Sequence, residues 1–136
     1  MTLNLLFVCV ENSCRSQMAE GWARTIGASR DVRAWSAGSK PSGRVNPDAI
    51  AAMQEAGVDI SGSTSTGVDA LPKGLRFDAV VTMGCGDACP VVPADRVEDW
   101  PIPDPKGGGP EIFAEVRDDI QRRVRRLIEQ LSSPSA

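Results

Sequence analysis

A chain of 136 residues, 41% hydrophobic and 24% charged, has the length of one domain, spanning residues 1–136, and enough apolar content for a core without staples. Its formal charge of −3 and pI near 4.9 argue against a nucleic-acid or membrane-surface partner, and no stretch approaches the roughly 20 apolar residues that span a bilayer. Histidine is absent, which removes Ser-His and Cys-His mechanisms and leaves a carboxylic acid as the natural general acid.

Met1-Thr2-Leu3-Asn4 lacks the basic start of a secretory leader, so a cytoplasmic location is expected; a monomer is expected as well. In that compartment the four cysteines are catalytic, redox-active or metal-bound rather than permanently bridged. Leu3 to Val8 is apolar throughout, as a central strand buried on both faces should be. Ser16 to Ala28 follows as a helix, with Met18, Trp22 and Ile26 at helical spacing. Val32 to Trp35 reads as a second strand, and Lys40 to Val45 as a Pro/Gly/Ser-rich loop. Asn46-Pro47 caps and opens a helix that Gly57 stops. Ile60 to Gly67 reads as loop, with a short helix over Val68 to Leu71.

Asp78 to Met83 is a third strand, Gly84 to Pro93 is irregular, and Val97 to Ile102 is a short fourth strand. Pro103-Asp104-Pro105 and Gly107-Gly108-Gly109 form a surface loop. The strongest periodic signal comes last: Ile112, Phe113, Val116, Ile120, Val124, Leu127, Ile128 and Leu131 mark one face of a long helix. Arg122, Arg123, Arg125 and Arg126 on it read as a solvated face. Strands alternating with helices imply an α/β fold with a parallel sheet, whose ligand lies at the carboxyl ends of the strands. Cys9, Cys85 and Asp104 all follow strand candidates, so the topology allows them to meet.

The chemistry centres on Cys9-Val10-Glu11-Asn12-Ser13-Cys14-Arg15-Ser16, between the first strand and the first helix. Backbone N–H groups of such a loop point inward, and the helix start adds positive partial charge. Arg15 can fork two hydrogen bonds onto a tetrahedral anion, and the same field favours a thiolate at Cys9. Ser16 can donate to the Cys9 sulfur or simply cap the helix. Cys14 reads as a structural thiol. Cys85-Gly86-Asp87-Ala88-Cys89 places two thiols within reach of a disulfide if the segment rearranges; two unrelated core cysteines are the alternative. A zinc site of Cys9, Cys14, Cys85 and Cys89 is a competing reading, which Arg15 and the anion-loop setting disfavour. Asp104, held between two prolines, presents its carboxyl from a rigid turn, where it can act as general acid.

The segment from Phe7 through Cys9, Arg15 and Ser16 to Trp22 resembles the active-site segment of the thioredoxin-coupled arsenate reductases, which share the low-molecular-weight tyrosine phosphatase fold. The resemblance continues through Ser36-Ala37-Gly38, Val45-Asn46-Pro47, Asp59-Ile60-Ser61, Val80 to Met83, Cys89-Pro90 and Asp104-Pro105. It implies a three-layer α/β/α domain around a mostly parallel four-stranded sheet. It also implies arsenate as substrate, with phosphate or sulfate as mimics, detoxification of arsenic as the purpose, and no cofactor. The implied roles are nucleophile for Cys9, anion clamp for Arg15 and proton donor for Asp104. Cys85 would then resolve the adduct, Cys89 would resolve Cys85, and thioredoxin would reduce the final disulfide.

Three features depart from that family's pattern. Only Gly86, Asp87 and Ala88 separate the resolving cysteines, where six residues are usual. Glu11 stands where glycine is common; turned inward it would repel an oxyanion, so an outward side chain is expected. Some members hold potassium through residues matching Asn12, Glu20 and Ser36, but their aspartate is Thr66 here. Other functions also fit parts of the pattern. A tyrosine phosphatase would need only Cys9, Arg15 and Asp104, yet Lys106-Gly107-Gly108-Gly109 offers no aromatic wall. A reductase coupled to glutathione or mycothiol would not need Cys85 and Cys89. An oxyanion or redox sensor would carry a readout element, and none is visible.

Overall fold

The computed structural model describes residues 2–84 and 92–132. Four strands, β1 (Leu3–Cys9), β2 (Val32–Gly38), β3 (Ala79–Thr82) and β4 (Val97–Asp99), form one sheet in the order β2-β1-β3-β4. Every neighbouring pair is parallel. The helices are α1 (Arg15–Ile26), α2 (Pro47–Glu55) and α3 (Gly109–Ser132), with a short 3-10 turn over Val68–Ala70. Among the described residues no helix is long and apolar enough to cross a membrane.

β1 is central, and alternation along it divides the core. Leu5, Phe7 and Cys9 face one cluster with Met18, Trp22, Met53, Ile120 and Leu127, so the three helices cover that side. Leu6 and Val8 face the other way, with Ala37, Phe77 and Val80. That second cluster is closed by Val68, Leu71 and Leu75 around the 3-10 turn. The apolar run of the first strand is explained by these two buried faces. At α2, Asn46 caps as expected: its Oδ1 accepts from the Asp48 N–H at 2.8 Å, with Pro47 in the first turn.

β1 ends one residue later than the sequence expectation and β3 is one residue shorter at each end, while two strand ends differ by three residues. β2 runs three residues beyond Trp35, to Gly38, because β1 supplies a partner up to the Cys9–Gly38 pair. Ladder pairing there overrides the weak strand preference of Ser-Ala-Gly. β4 stops at Asp99 rather than Ile102. Pro101 and Pro103 cannot donate to a ladder, and Trp100 and Ile102 instead turn into the core, at 4% and 3% exposed. That turn carries the chain across the carboxyl end of the sheet towards Asp104.

Candidate active site

β1 delivers Cys9 to the carboxyl end of the sheet, and the loop beyond it is held from behind. The carbonyls of Cys9, Val10, Glu11 and Ser13 accept from the backbone N–H groups of Ser39, Lys40, Ser42 and Asn46, at 2.7 to 3.2 Å. The Glu11 carbonyl also accepts from Ser65 Oγ at 2.9 Å, and that of Asn12 from Gln17 Nε2 at 3.1 Å. Among the described residues no peptide is cis, so each outward carbonyl turns the next N–H the opposite way. The N–H groups of Val10 to Cys14 therefore face the hollow lined by Cys9, Val10, Glu11, Ser13, Cys14, Arg15 and Asp104. Cys14 precedes α1 with no side-chain cap, leaving first-turn donors for an anion.

Asn12 is the pivot of the loop. It adopts a left-handed φ of 51°, a conformation that asparagine tolerates better than most residues. It is fully buried, and its Oδ1 accepts from the Thr66 N–H at 2.8 Å and from Gln17 Nε2 at 3.0 Å. Its Nδ2 donates to Ser16 Oγ at 2.8 Å. Ser16 Oγ lies 2.9 Å from Cys9 Sγ. An amide N–H can only donate, so the Ser16 hydroxyl accepts from Asn12 and keeps its own proton free to donate to the sulfur. Asn12, Ser16 and Cys9 are thus linked in one hydrogen-bonded chain that can end in a donor to the Cys9 sulfur.

Arg15 is 7% exposed. Its Nη1 donates to the Ile102 carbonyl at 2.9 Å, and its Nη2 stands 3.8 Å from Asp104 Oδ2. A Cβ at Gly84, where φ is +82°, would collide with this guanidinium, which favours glycine at this position two residues beyond β3. Asp104 Oδ1 accepts from the Lys106 N–H at 3.0 Å, which fixes the carboxyl in its turn, and 48% of its side chain is exposed. Glu11 turns to Lys106, whose Nζ lies 3.1 and 3.3 Å from its two carboxylate oxygens. That hydrogen bond and charge hold the Lys106 ammonium above the usual lysine range. Cys14 lines the hollow as a thiol rather than a thiolate. Burial, and next the Asp104 carboxylate, push it up to about 12.

The residues named for a cation are otherwise engaged. Asn12 Oδ1 faces Thr66 and Gln17, while the Glu20 carboxylate accepts from Ser36 Oγ at 2.6 Å and meets Arg24 Nη2 at 2.8 Å. Among the described residues no three His, Cys, Asp or Glu side chains gather as metal ligands, and Cys9 and Cys14 are free thiols. Cys85 and Cys89 lie outside the described residues. Larger cavities of about 480 and 580 Å³ lie elsewhere, and no described cysteine lines them. Residues that the sequence reading passed over include Gln17, the backing segment from Ser39 to Asn46, the Ile102 carbonyl and Lys106. Only Lys106 left a signal, as a cation two residues from Asp104.

This geometry has close parallels. A curated protein of Synechocystis sp. named glutaredoxin arsenate reductase is 44% identical over 131 residues, covering 94% of this chain and 98% of that protein. A solved structure described as an arsenate reductase in the phosphate binding state superposes with a TM-score of 0.85 at 40% identity, over 96% of this chain and all of the other. A thioredoxin-dependent arsenate reductase of Corynebacterium glutamicum superposes at 0.76 with 32% identity, over 97% of this chain and 64% of its own. The family model for low molecular weight phosphotyrosine protein phosphatases matches residues 4–135. That match spans nearly the whole chain, including the hollow at Cys9, Arg15 and Asp104, and the chain belongs to this family.

Proposed function

We propose that the chain reduces arsenate to arsenite in the cytoplasm, for arsenic detoxification, through a relay of Cys9, Cys85 and Cys89. The observation that carries the reading is the donor chain from Asn12 through Ser16 to the Cys9 sulfur, within a hollow ringed by N–H groups. Arsenate reductases among the relatives at 40 to 44% identity support the choice of oxyanion. In the first step Cys9 attacks arsenic: a sulfur–arsenic bond forms, and an arsenic–oxygen bond breaks. The oxygen leaves as water with a proton from Asp104, while Arg15 and the loop hold the remaining oxygens. Cys85 then attacks Cys9 Sγ. A disulfide forms, the sulfur–arsenic bond breaks, and its electron pair stays on arsenic, which falls from As(V) to As(III). Cys89 next attacks Cys85 and expels the Cys9 thiolate. The Cys85–Cys89 disulfide takes two electrons from a dithiol reductant.

Thioredoxin is the proposed reductant, supported by the thioredoxin-dependent relative of Corynebacterium glutamicum. The name of the Synechocystis relative favours a second reading, in which glutathione and glutaredoxin supply the electrons. Arsenate-dependent NADPH consumption, with thioredoxin and its reductase in one assay and glutathione with glutaredoxin in another, separates the two. Turnover is expected with thioredoxin; turnover only with glutaredoxin would reassign the reductant. No arsenate-dependent consumption in either assay would overturn the reductase reading. A phosphatase reading gains nothing specific here, because Lys106-Gly107-Gly108-Gly109 beside Asp104 gives an aromatic substrate no wall.

A further inference from the structure

An anion loop with a carboxylate in it poses an electrostatic problem. Glu11 lines the same hollow as Cys9 and Arg15, and an unopposed negative charge there repels the oxyanion that the loop's N–H groups attract. The charge is met from a distant part of the chain. Lys106 Nζ lies 3.1 and 3.3 Å from the Glu11 carboxylate oxygens, across 95 residues of sequence. The same Lys106 donates its backbone N–H to Asp104 Oδ1 at 3.0 Å. One turn therefore carries both the general acid and the countercharge. Arg15 makes the parallel contacts from the inner side, to the Ile102 carbonyl at 2.9 Å and towards Asp104 at 3.8 Å. The Asp104 turn is thus tethered twice to the anion loop, once inside the hollow and once at its rim.

We propose that the Glu11–Lys106 ion pair is a strap over the oxyanion hollow, in which Lys106 cancels the Glu11 charge and positions the Asp104 carboxyl over the departing oxygen. Lys106 is then a positioning residue, since it acts through Glu11 and Asp104 rather than on the reacting atoms. The part played in the reaction rests on the reductase reading; the cancellation of charge does not. An exposed ion pair adds little to folding stability. Beside a multiply charged anion its loss is felt more strongly, because the uncovered carboxylate acts on the full charge of the ligand.

The test uses the reduced full-length chain and inorganic phosphate as probe, titrated calorimetrically at low salt, with the single-turnover rate at saturating arsenate as a second readout. Lys106→Met is expected to weaken phosphate binding about fivefold to tenfold by uncovering Glu11, and Glu11→Gln to tighten it about threefold. Both substitutions release the Asp104 turn, so both are expected to lower the saturated arsenate rate by about fivefold to tenfold. In the double variant the affinity returns near the starting value while the rate stays low. A merely structural pair would not move affinity in opposite directions while moving the rate in one. Phosphate affinities that shift together, or not at all, would overturn the cancellation of charge, and saturated rates equal to the parent's would overturn the positioning. If the parent binds phosphate but never turns over arsenate, the reductase reading fails, and the phosphate titrations still decide the strap.

Discussion

Ser16 decides how Cys9 presents its sulfur. Its hydroxyl is fixed by the Asn12 amide at 2.8 Å and reaches the sulfur at 2.9 Å, so Ser16→Ala removes one donor and leaves the buried Asn12 Nδ2 without its acceptor. A single hydrogen bond contributes roughly 0.5–1.5 kcal/mol net, or about a threefold to tenfold effect. Ser16→Ala is therefore expected to slow iodoacetamide modification of Cys9 by about threefold to tenfold at neutral pH, measured by mass of the labelled peptide. Cys14 should behave in the opposite way. With its thiol pushed from 9.0 to about 12, chiefly by burial, it stays protonated and unlabelled at pH 8 until denaturant is added. The sign for stability follows from the same shift. The folded state holds that proton more tightly than the unfolded one, so the contribution is complete below pH 9.0 and is lost as pH rises towards about 12. Denaturant midpoints should fall across that window, and Cys14→Ala should flatten the fall. At this scale the meeting of Cys9, Arg15 and Asp104 at one hollow was legible, because a thiol, a guanidinium and a carboxyl each stand at a fixed place after a strand. Lys106 showed only as a cation two residues from Asp104; its pairing with Glu11, 95 residues away, leaves no local pattern.

The loop keeps its shape because another element stands behind it. The chain just after β2 presents N–H groups to the loop's carbonyls, and Gly38, the last residue of β2, packs closely against the loop. A Cβ at Gly38 would come within 2.7 Å of the Val10 carbonyl oxygen and 3.0 Å of the Asn12 backbone nitrogen. Backbone atoms on both sides cannot give way without moving the loop. Gly38→Ala is expected to weaken phosphate binding about tenfold or more by turning the inward N–H groups off their target, while far-ultraviolet circular dichroism stays native. Phosphate titration beside the spectrum checks both halves. The element pattern itself was readable: the two-sided β1, the Asn46 cap and the long apolar face of α3 each follow from periodicity or capping alone. The extra length of β2 was not, since Ser36, Ala37 and Gly38 pair only because Phe7, Val8 and Cys9 lie alongside. The early end of β4 could have been taken from Pro101 and Pro103, which interrupt any ladder.

At the scale of the whole molecule, strand order is compatible with the proposed relay. β1 lies between β2 and β3, so the chain leaving β3 emerges beside the loop that follows β1. Met83 donates its N–H to the Val8 carbonyl at 2.8 Å, and Gly84 lies against the Arg15 guanidinium. Cys85 is the next residue in the sequence. β4 lies on the far side of β3, and the chain after it brings Asp104 to the same hollow. A fold that needed only Cys9, Arg15 and Asp104 would gain nothing from thiols placed after β3, whereas a relay needs them next to the nucleophile's loop. The variants should separate by step. Cys9→Ser is expected to release no arsenite at all, because no adduct forms. Cys85→Ser should halt at the adduct, with arsenic retained on the protein in mass spectra. Cys89→Ser should release about one arsenite per reduced chain and then stop with thioredoxin as sole reductant, because the Cys9–Cys85 disulfide has no internal thiol to open it. Arsenite counted per chain, with and without thioredoxin, distinguishes the three, and sustained turnover by Cys89→Ser would take the second exchange out of the mechanism.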